Sequence, residues 1–275
     1  MDTFGDWYCK REDLACYERI DWPTGAKVRQ YTKMIQKNPA PLLVGCSAFS
    51  AMQIYIAAAA EKFNLNGIVY IPARAAVSDA TRYAQERGVE VCEVRPCPGP
   101  SVYRARAKKR GELLGPYVHW DFTGAIDDAM YQTQNIPQHV RRILIPTGSG
   151  LISSGVLAGL AGRDIKVISL AGSTMADSDT IIANAKKALD RHAITAQLPE
   201  FELIRLPEKY EHYAIAALPD GTPLDPFYAA KTLKYVHEGD CLWLTGLRPV
   251  CSMPEKCQKA FHYFTDETMR DIINR

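Results

Sequence analysis

The chain has no CxxC pair among its eight cysteines, and no histidine stands beside them at a metal-ligand spacing. No zinc motif is present, and Cys9, Cys16, Cys46, Cys92, Cys97, Cys241, Cys251 and Cys257 are read as reduced, structural thiols. No apolar run reaches the ~20 residues that span a bilayer. Met1 to Lys10 carries acidic and aromatic residues where a secretory leader needs an apolar core. A soluble, cytoplasmic protein without membrane contact is expected. Charge of one sign is also lacking: 33 Lys and Arg stand against 31 Asp and Glu, a formal charge of +2. No general field therefore favours nucleic acid or membranes. Neither GxxxxGK[ST] nor GxGxxG occurs, which argues against a nucleoside triphosphate or a dinucleotide. Internal repeats and low-complexity tracts are absent, and Ala57 to Ala60 reads as a tightly packed helix.

With 275 residues, 47% of them hydrophobic, the chain can bury a substantial core as one large domain or two moderate ones. Strand-length apolar runs alternate with segments of helical period. Strands are expected at Leu42 to Gly45, Ile68 to Ile71, Val89 to Val94, Arg141 to Ile145, Lys166 to Leu170, Phe201 to Leu206 and Cys241 to Leu244. Helices are expected at Ser50 to Phe63, Ser78 to Arg87, Val102 to Leu114, Ser153 to Leu160, Asp177 to His192 and Asp225 to Val236. The alternation breaks at Arg95 to Pro100 and resumes after it, with Tyr117 to Trp120 and a short helix from Ile126 between the helix at Val102 and the strand at Arg141. This alternation is the pattern of parallel βαβ units, so an α/β protein with two open parallel sheets of unequal size is expected. Leu218 to Pro223 reads as a Pro and Gly loop. The basic stretch Arg104 to Arg110 spreads its charges most of the way round a helix, as a solvated surface does.

Two places carry chemistry. Pro146-Thr147-Gly148-Ser149-Gly150 lies between the apolar run Ile143 to Ile145 and the helix expected at Ser153. A strand, glycine turn and helix in that order gather backbone N–H groups where a phosphate is held, although strands also enter helices through Gly and Ser with no ligand. Lys27 follows Gly25 in the first turn of a helix whose apolar face is Val28, Tyr31 and Ile35. A cation there opposes the helix dipole. A partly buried lysine of lowered pKa forms a Schiff base with an aldehyde, whereas a surface lysine snorkels to water.

Lys10-Arg11-Glu12-Asp13-Leu14 followed by Thr24-Gly25-Ala26-Lys27-Val28-Arg29 resembles the KREDL and GGNKxRKL opening of the pyridoxal-phosphate (PLP) enzymes of fold type II, the tryptophan synthase β-like family. Three further blocks follow in the family's order. Ser47 to Gln53 resembles its SxxNHAQ loop, Pro146 to Gly150 its PTGSGGT turn, and Leu224 to Lys231 its LDPVYTGK segment. The branch resembled is the 1-aminocyclopropane-1-carboxylate deaminase and D-cysteine desulfhydrase group. The resemblance implies a homodimer with PLP in the cleft between two domains, a small one over residues 38–127 and a large one over 1–37 plus 128–275. It implies that Lys27 carries the cofactor as a Schiff base and acts as general base once a substrate amine displaces it. Thr147, Gly148, Ser149 and Gly150 would cradle the phosphate, with Leu151 and Ile152 ending the nest. Tyr228 and Tyr213 would be active-site tyrosines, and Ser47 and Ser50 would lie in the loop that meets cofactor and substrate. Thr245, in a segment that resembles LxHTGG, would meet the pyridine nitrogen and leave it largely unprotonated.

The chain also departs from the family. The asparagine that bonds the cofactor's phenolic oxygen is absent from the Ser47 to Gln53 loop, Leu151 replaces the glycine after GSG, and Ala229 stands where the deaminases have an acid and the desulfhydrases a threonine. Tyr213 to Leu224 is markedly shorter than in those enzymes, which would open the mouth of the site. The function expected is PLP-dependent lyase or deaminase chemistry at Cα of an amino acid. The alternative is decarboxylation, or another Cα cleavage, of an amino acid conjugated to a larger molecule such as a modified nucleotide or DNA base, in which Arg104 to Arg110 would gain a purpose. A cofactor-free binding or scaffold homologue is the alternative of another class. Elimination, deamination, desulfhydration, racemisation and decarboxylation share their opening step, and the substrate's orientation to the ring selects among them.

Overall fold

Runs of Val, Ile and Leu form the strands, and the segments of helical period between them form the helices, as the alternation requires. A computed structural model describes residues 1–17, 19, 21–73, 77–95, 100–114, 117–118, 121–172, 175–208 and 212–261. In chain order the first elements are β1 (Asp2–Phe4), β2 (Trp7–Arg11), α1 (Ala26–Lys37), β3 (Leu42–Gly45), α2 (Met52–Phe63), β4 (Gly67–Pro72), α3 (Asp79–Glu86), β5 (Glu90–Val94) and α4 (Pro100–Leu114). They are followed by α5 (Phe122–Gln132), β6 (Arg142–Thr147), α6 (Leu151–Gly159), β7 (Lys166–Ala171), α7 (Ser178–Arg191), β8 (Glu200–Arg205), α8 (Ala229–Thr232), β9 (Asp240–Leu244) and α9 (Glu255–Ala260).

The chain divides into two compact units. The first, Met1–Leu14 with Asp121–Leu247, holds a six-stranded sheet in the order β1-β2-β9-β6-β7-β8. Its pairings are parallel except that of β1 with β2. Strands β6, β7 and β9 are almost wholly buried, as parallel strands covered on both faces are. Ile143, Ile145, Val167 and Trp243 pack beneath α5, α6 and α7, while Leu144, Ile168, Leu170, Leu242 and Leu244 pack against Leu218, Leu224, Ala229 and Ala230. A Cβ on Gly155 of α6 would come within 2.3 Å of the Ile126 carbonyl, so α5 and α6 meet at backbone distance.

Strands β1 and β2 were not expected from the sequence. They carry a buried charge cluster: Arg11 Nε and Nη2 donate to the Asp13 carboxylate at 2.8 and 2.7 Å, and Nη1 reaches Asp2 at 3.1 Å and Asp220 at 2.9 Å. Burial raises the Asp13 carboxyl above its ordinary range against the opposing pull of Arg11. Burial would lower the Arg11 guanidinium, but its bonds to Asp13 and Asp220 hold it above its ordinary value.

The second unit takes its described residues from Ala15–Trp120 and Arg248–Arg275 and holds the parallel sheet β3-β4-β5. Two sheets of unequal size are thus observed. The division differs from the expected domains: residues 121–127 group with the larger sheet, and residues 15–37 and 248–261 with the smaller. Side-chain bonds account for this: Tyr55 Oη of α2 donates to the Thr24 carbonyl, Trp22 Nε1 to Glu61, and Arg248 Nη2 to the Phe49 carbonyl.

The helix expected over Asp225 to Val236 is instead the single turn α8 followed by a 3-10 turn, Leu233–Tyr235. Tyr228 has φ −127° and ψ −85°, outside the helical region, and Asp225 Oδ1 accepts from Phe227 N in a turn of its own. Of Tyr117 to Trp120, Val118 makes one bridge, to Leu42, and residues 119–120 lie outside the described set. Cys97 lies outside it too; the other seven cysteines are free thiols.

Asp21 sets an acid limit on stability in this unit. Burial raises its pKa, but bonds from Arg19 and Arg87, each with one at 2.7 Å, outweigh this and leave it lowered. A carboxyl lowered on folding contributes stability above the unfolded value of about 4 and loses it as pH falls through the folded value. Asp21→Asn should therefore flatten the decline of the urea midpoint between about pH 5 and pH 3. An unchanged decline would mean that other carboxylates set it.

Candidate functional site

In the first unit the expected residues collect at the carboxyl ends of β6 and β9, where open parallel sheets bind their ligands. Strand β6 ends at Thr147, and β9, paired with it through Leu144 and Leu242, ends at Leu244 directly before Thr245. Gly148, Ser149 and Gly150 then turn into α6. Gly150 has φ 85° and ψ −2°, and a Cβ there would lie 2.5 Å from Ile181 Cγ1, so backbone and packing both demand glycine. It caps α6 without a side chain, which leaves the N–H groups of Leu151, Ile152 and Ser153 without an acceptor inside the helix. Those amides and the helix dipole together form an anion cradle.

The hydroxyls nearby are spent on holding the turn. Thr147 is buried and donates to the Ile145 carbonyl at 3.0 Å, so at 2.8 Å from Ser153 Oγ it can only accept. Ser154 N and Oγ both donate to the Gly150 carbonyl at 2.9 Å. With Leu151 in place of a glycine, what remains to face an anion is backbone, together with the exposed Ser149.

Tyr228 lies on this turn. A Cβ on Gly148 would meet its Cε1 and Oη at 3.1 Å. Tyr213 is tied to the same place, because Ala214 N donates to the Pro226 carbonyl at 2.9 Å and Leu224 N to the Ala216 carbonyl at 3.0 Å. These bonds and the Ala217 to Pro223 bridge make the stretch read as a loop into a short antiparallel hairpin that turns at Gly221, with φ 89°. The Tyr213 ring stands edge-on to Phe227, 6.5 Å between centroids. The turn, Tyr228, Tyr213 and Thr245 all belong to the first unit.

Lys27, Ser47 and Ser50 belong to the second. Lys27 is half-buried in the first turn of α1, behind Gly25 at φ 114°, and its Nζ lies 5.5 Å from the centre of the Tyr55 ring. Ser50 Oγ accepts from Met52 N at 3.2 Å, which opens α2. The loop before it is pinned by the buried Gln53, whose Nε2 donates to the Ala48 carbonyl at 2.7 Å and the Ser47 carbonyl at 3.3 Å while Oε1 accepts from Thr81 at 2.9 Å. Arg248, 2% exposed, adds its bond to Phe49, 3.4 Å long. Arg248 and Tyr55 were not singled out in the sequence. Tyr55 left a visible mark, as the only aromatic within the aliphatic run Ile54 to Ala60; Arg248 left none.

Among the described residues, no group of three or more His, Cys, Asp or Glu could hold a metal ion, and no helix is long and apolar enough to cross a membrane.

No protein-family model matches the sequence, and no curated protein matches it. Solved structures do. The fold is similar to that of an ACC deaminase homologue, with a TM-score of 0.69 and 16% identity over 97% of this chain and 88% of that one. A fungal L-serine ammonia-lyase from Rhizomucor miehei gives 0.56 at 14% identity over 94% of this chain and 92% of that one. A pyridoxal 5'-phosphate-dependent aspartate racemase gives 0.51 at 16% identity over 87% and 83%. At such identities the likeness is one of fold, and the fold is the one the sequence resemblance implies.

Proposed function

We propose that this chain is a pyridoxal-phosphate-dependent enzyme of the lyase or deaminase kind, acting at Cα of an amino acid through its amine. The observation that carries the reading is the glycine turn heading α6, whose first amides have no acceptor inside the helix and no capping side chain, and so suit a phosphate dianion. When bound, the cofactor supplies an aldehyde for the substrate amine and a ring that takes up the electron pair released at Cα. Lys27 would hold it through Nζ and, once displaced, move the Cα proton. The amides of residues 149–153 would hold the phosphate, with Tyr228 against the turn and Tyr213 beside it. Thr245 would offer the ring nitrogen a neutral hydroxyl. Ser50, which already accepts from Met52 N, keeps its own proton to donate where the family uses an amide, and Ser47 lies in the same loop.

The test is to load the purified protein with PLP, reduce with borohydride and map the adduct by peptide mass. An adduct confined to Lys27 is expected. Adducts scattered over surface lysines, or none, would overturn the reading in favour of a cofactor-free homologue.

A second reading concerns what carries the substrate amine, and α4 favours it. Arg106, Lys109 and Arg110 recur at i, i+3 and i+4 and so share one exposed face, while Ala107 and Gly111 are buried. Lys108, on another side of the helix, is exposed as well. Among the described residues Arg106 and Lys109 have no ion-pair partner, whereas Arg82, Arg142 and Arg191 each hold a carboxylate. Such a stripe suits an amino acid attached to a nucleotide polymer. Cofactor absorbance changes should then be larger with aminoacylated oligonucleotides than with free D- or L-amino acids. Changes with the free acids alone would dismiss this reading.

A further inference from the structure

Tyr55 is 4% exposed on α2, and its hydroxyl donates to the Thr24 carbonyl at 2.6 Å. Thr24 belongs to the turn that launches α1, where Gly25 N donates to the Ala15 carbonyl at 2.5 Å and Thr24 bridges to Cys16. The same tyrosine ring lies under the Lys27 ammonium, 5.5 Å from its centre, within the range of a cation–π contact. One side chain thus fixes the backbone that carries Lys27 and also meets its charge. Two of the influences on that charge act in opposite senses. The α1 N-terminus, which has no acidic residue in its first turn, disfavours a cation. The negative face of the aromatic ring favours one.

We propose that Tyr55 is a positioning residue for Lys27, its hydroxyl clamping the Thr24 turn and its ring offsetting the helix dipole so that Nζ retains a proton it has accepted. The catalytic meaning rests on the role given to Lys27 above, but the effect itself belongs to the protein alone and can be read without cofactor.

The experiment is competitive acylation of the cofactor-free protein at about pH 8, with Lys27 labelling measured by peptide mass against Lys37 at the far end of the same helix. Tyr55→Leu should raise the relative labelling of Lys27 about threefold, because less of it stays protonated. Tyr55→Phe keeps the ring, so labelling should hold while the melting temperature falls by roughly 2–4 °C for the lost hydrogen bond. Should the leucine variant fail to fold, trifluorophenylalanine at position 55 preserves shape, weakens the ring's negative face and should raise labelling over Tyr55→Phe. Unchanged labelling with either weakened face would overturn the proposal, as would an equal rise in Tyr55→Phe. Borohydride mapping separates the two claims: no PLP adduct on Lys27 sinks the function and leaves the labelling result standing. An adduct with unaltered labelling sinks the tyrosine's role alone.

Discussion

Lys27→Ala should give a folded protein that acquires no PLP adduct on borohydride reduction and whose turnover falls by at least about 10²–10⁴-fold. The fold should survive for local reasons. The side chain is half-buried at a helix start, alanine is the better helix former, and the change removes a cation that the helix dipole opposes. Circular dichroism and the melting temperature should therefore stay at wild-type values while the function disappears. Lys33→Ala, two turns along the same helix on an exposed face, provides the matched control and should keep both adduct and turnover. An adduct that persists in Lys27→Ala would assign the cofactor to another amine and remove the chemistry proposed here.

Arg11→Ala should lower unfolding stability by about 3–5 kcal/mol, read from urea unfolding, since it strands the fully buried Asp13 without its partner. Lysine should not rescue it. A single ammonium cannot reproduce the paired bonds to Asp13 while also reaching Asp2 and Asp220. Removing both charges, as in Arg11→Met with Asp13→Asn, should cost less than the arginine change alone, because no buried charge is then left unmatched. A loss below about 1 kcal/mol in Arg11→Ala would show that Asp13 reaches water once the guanidinium is gone.

The parallel strands were legible because their apolar runs are continuous: Leu42 to Gly45 and Cys241 to Leu244 fall within β3 and β9. Strand β2 was not, because Lys10 and Arg11 read as polar and only the distant β9 makes a strand of them. The helix at Asp225 failed for a related reason. Nothing in Asp225 to Val236 announces that Tyr228 is turned out of helical geometry and set against Gly148, eighty residues earlier. The glycine turn was readable as a turn, since Gly150 is a local necessity. The inward aim of the Thr147 hydroxyl was not, for it depends on Ser153 arriving one turn into α6. Tyr55 was visible as an oddity, yet its partners Thr24 and Lys27 come from another helix and its preceding turn.

Strand β9 lies between β2 and β6, both synthesised before it. The larger sheet therefore stays open through most of translation, with a vacant slot that only the segment ending at Leu244 can close. Its completion is a late, long-range event, slow by topology and exposed to mispairing while it waits. A nascent chain stalled short of Asp240 would hold β2 and β6 with bare edges facing each other, a species fit for chaperone capture or aggregation rather than for work.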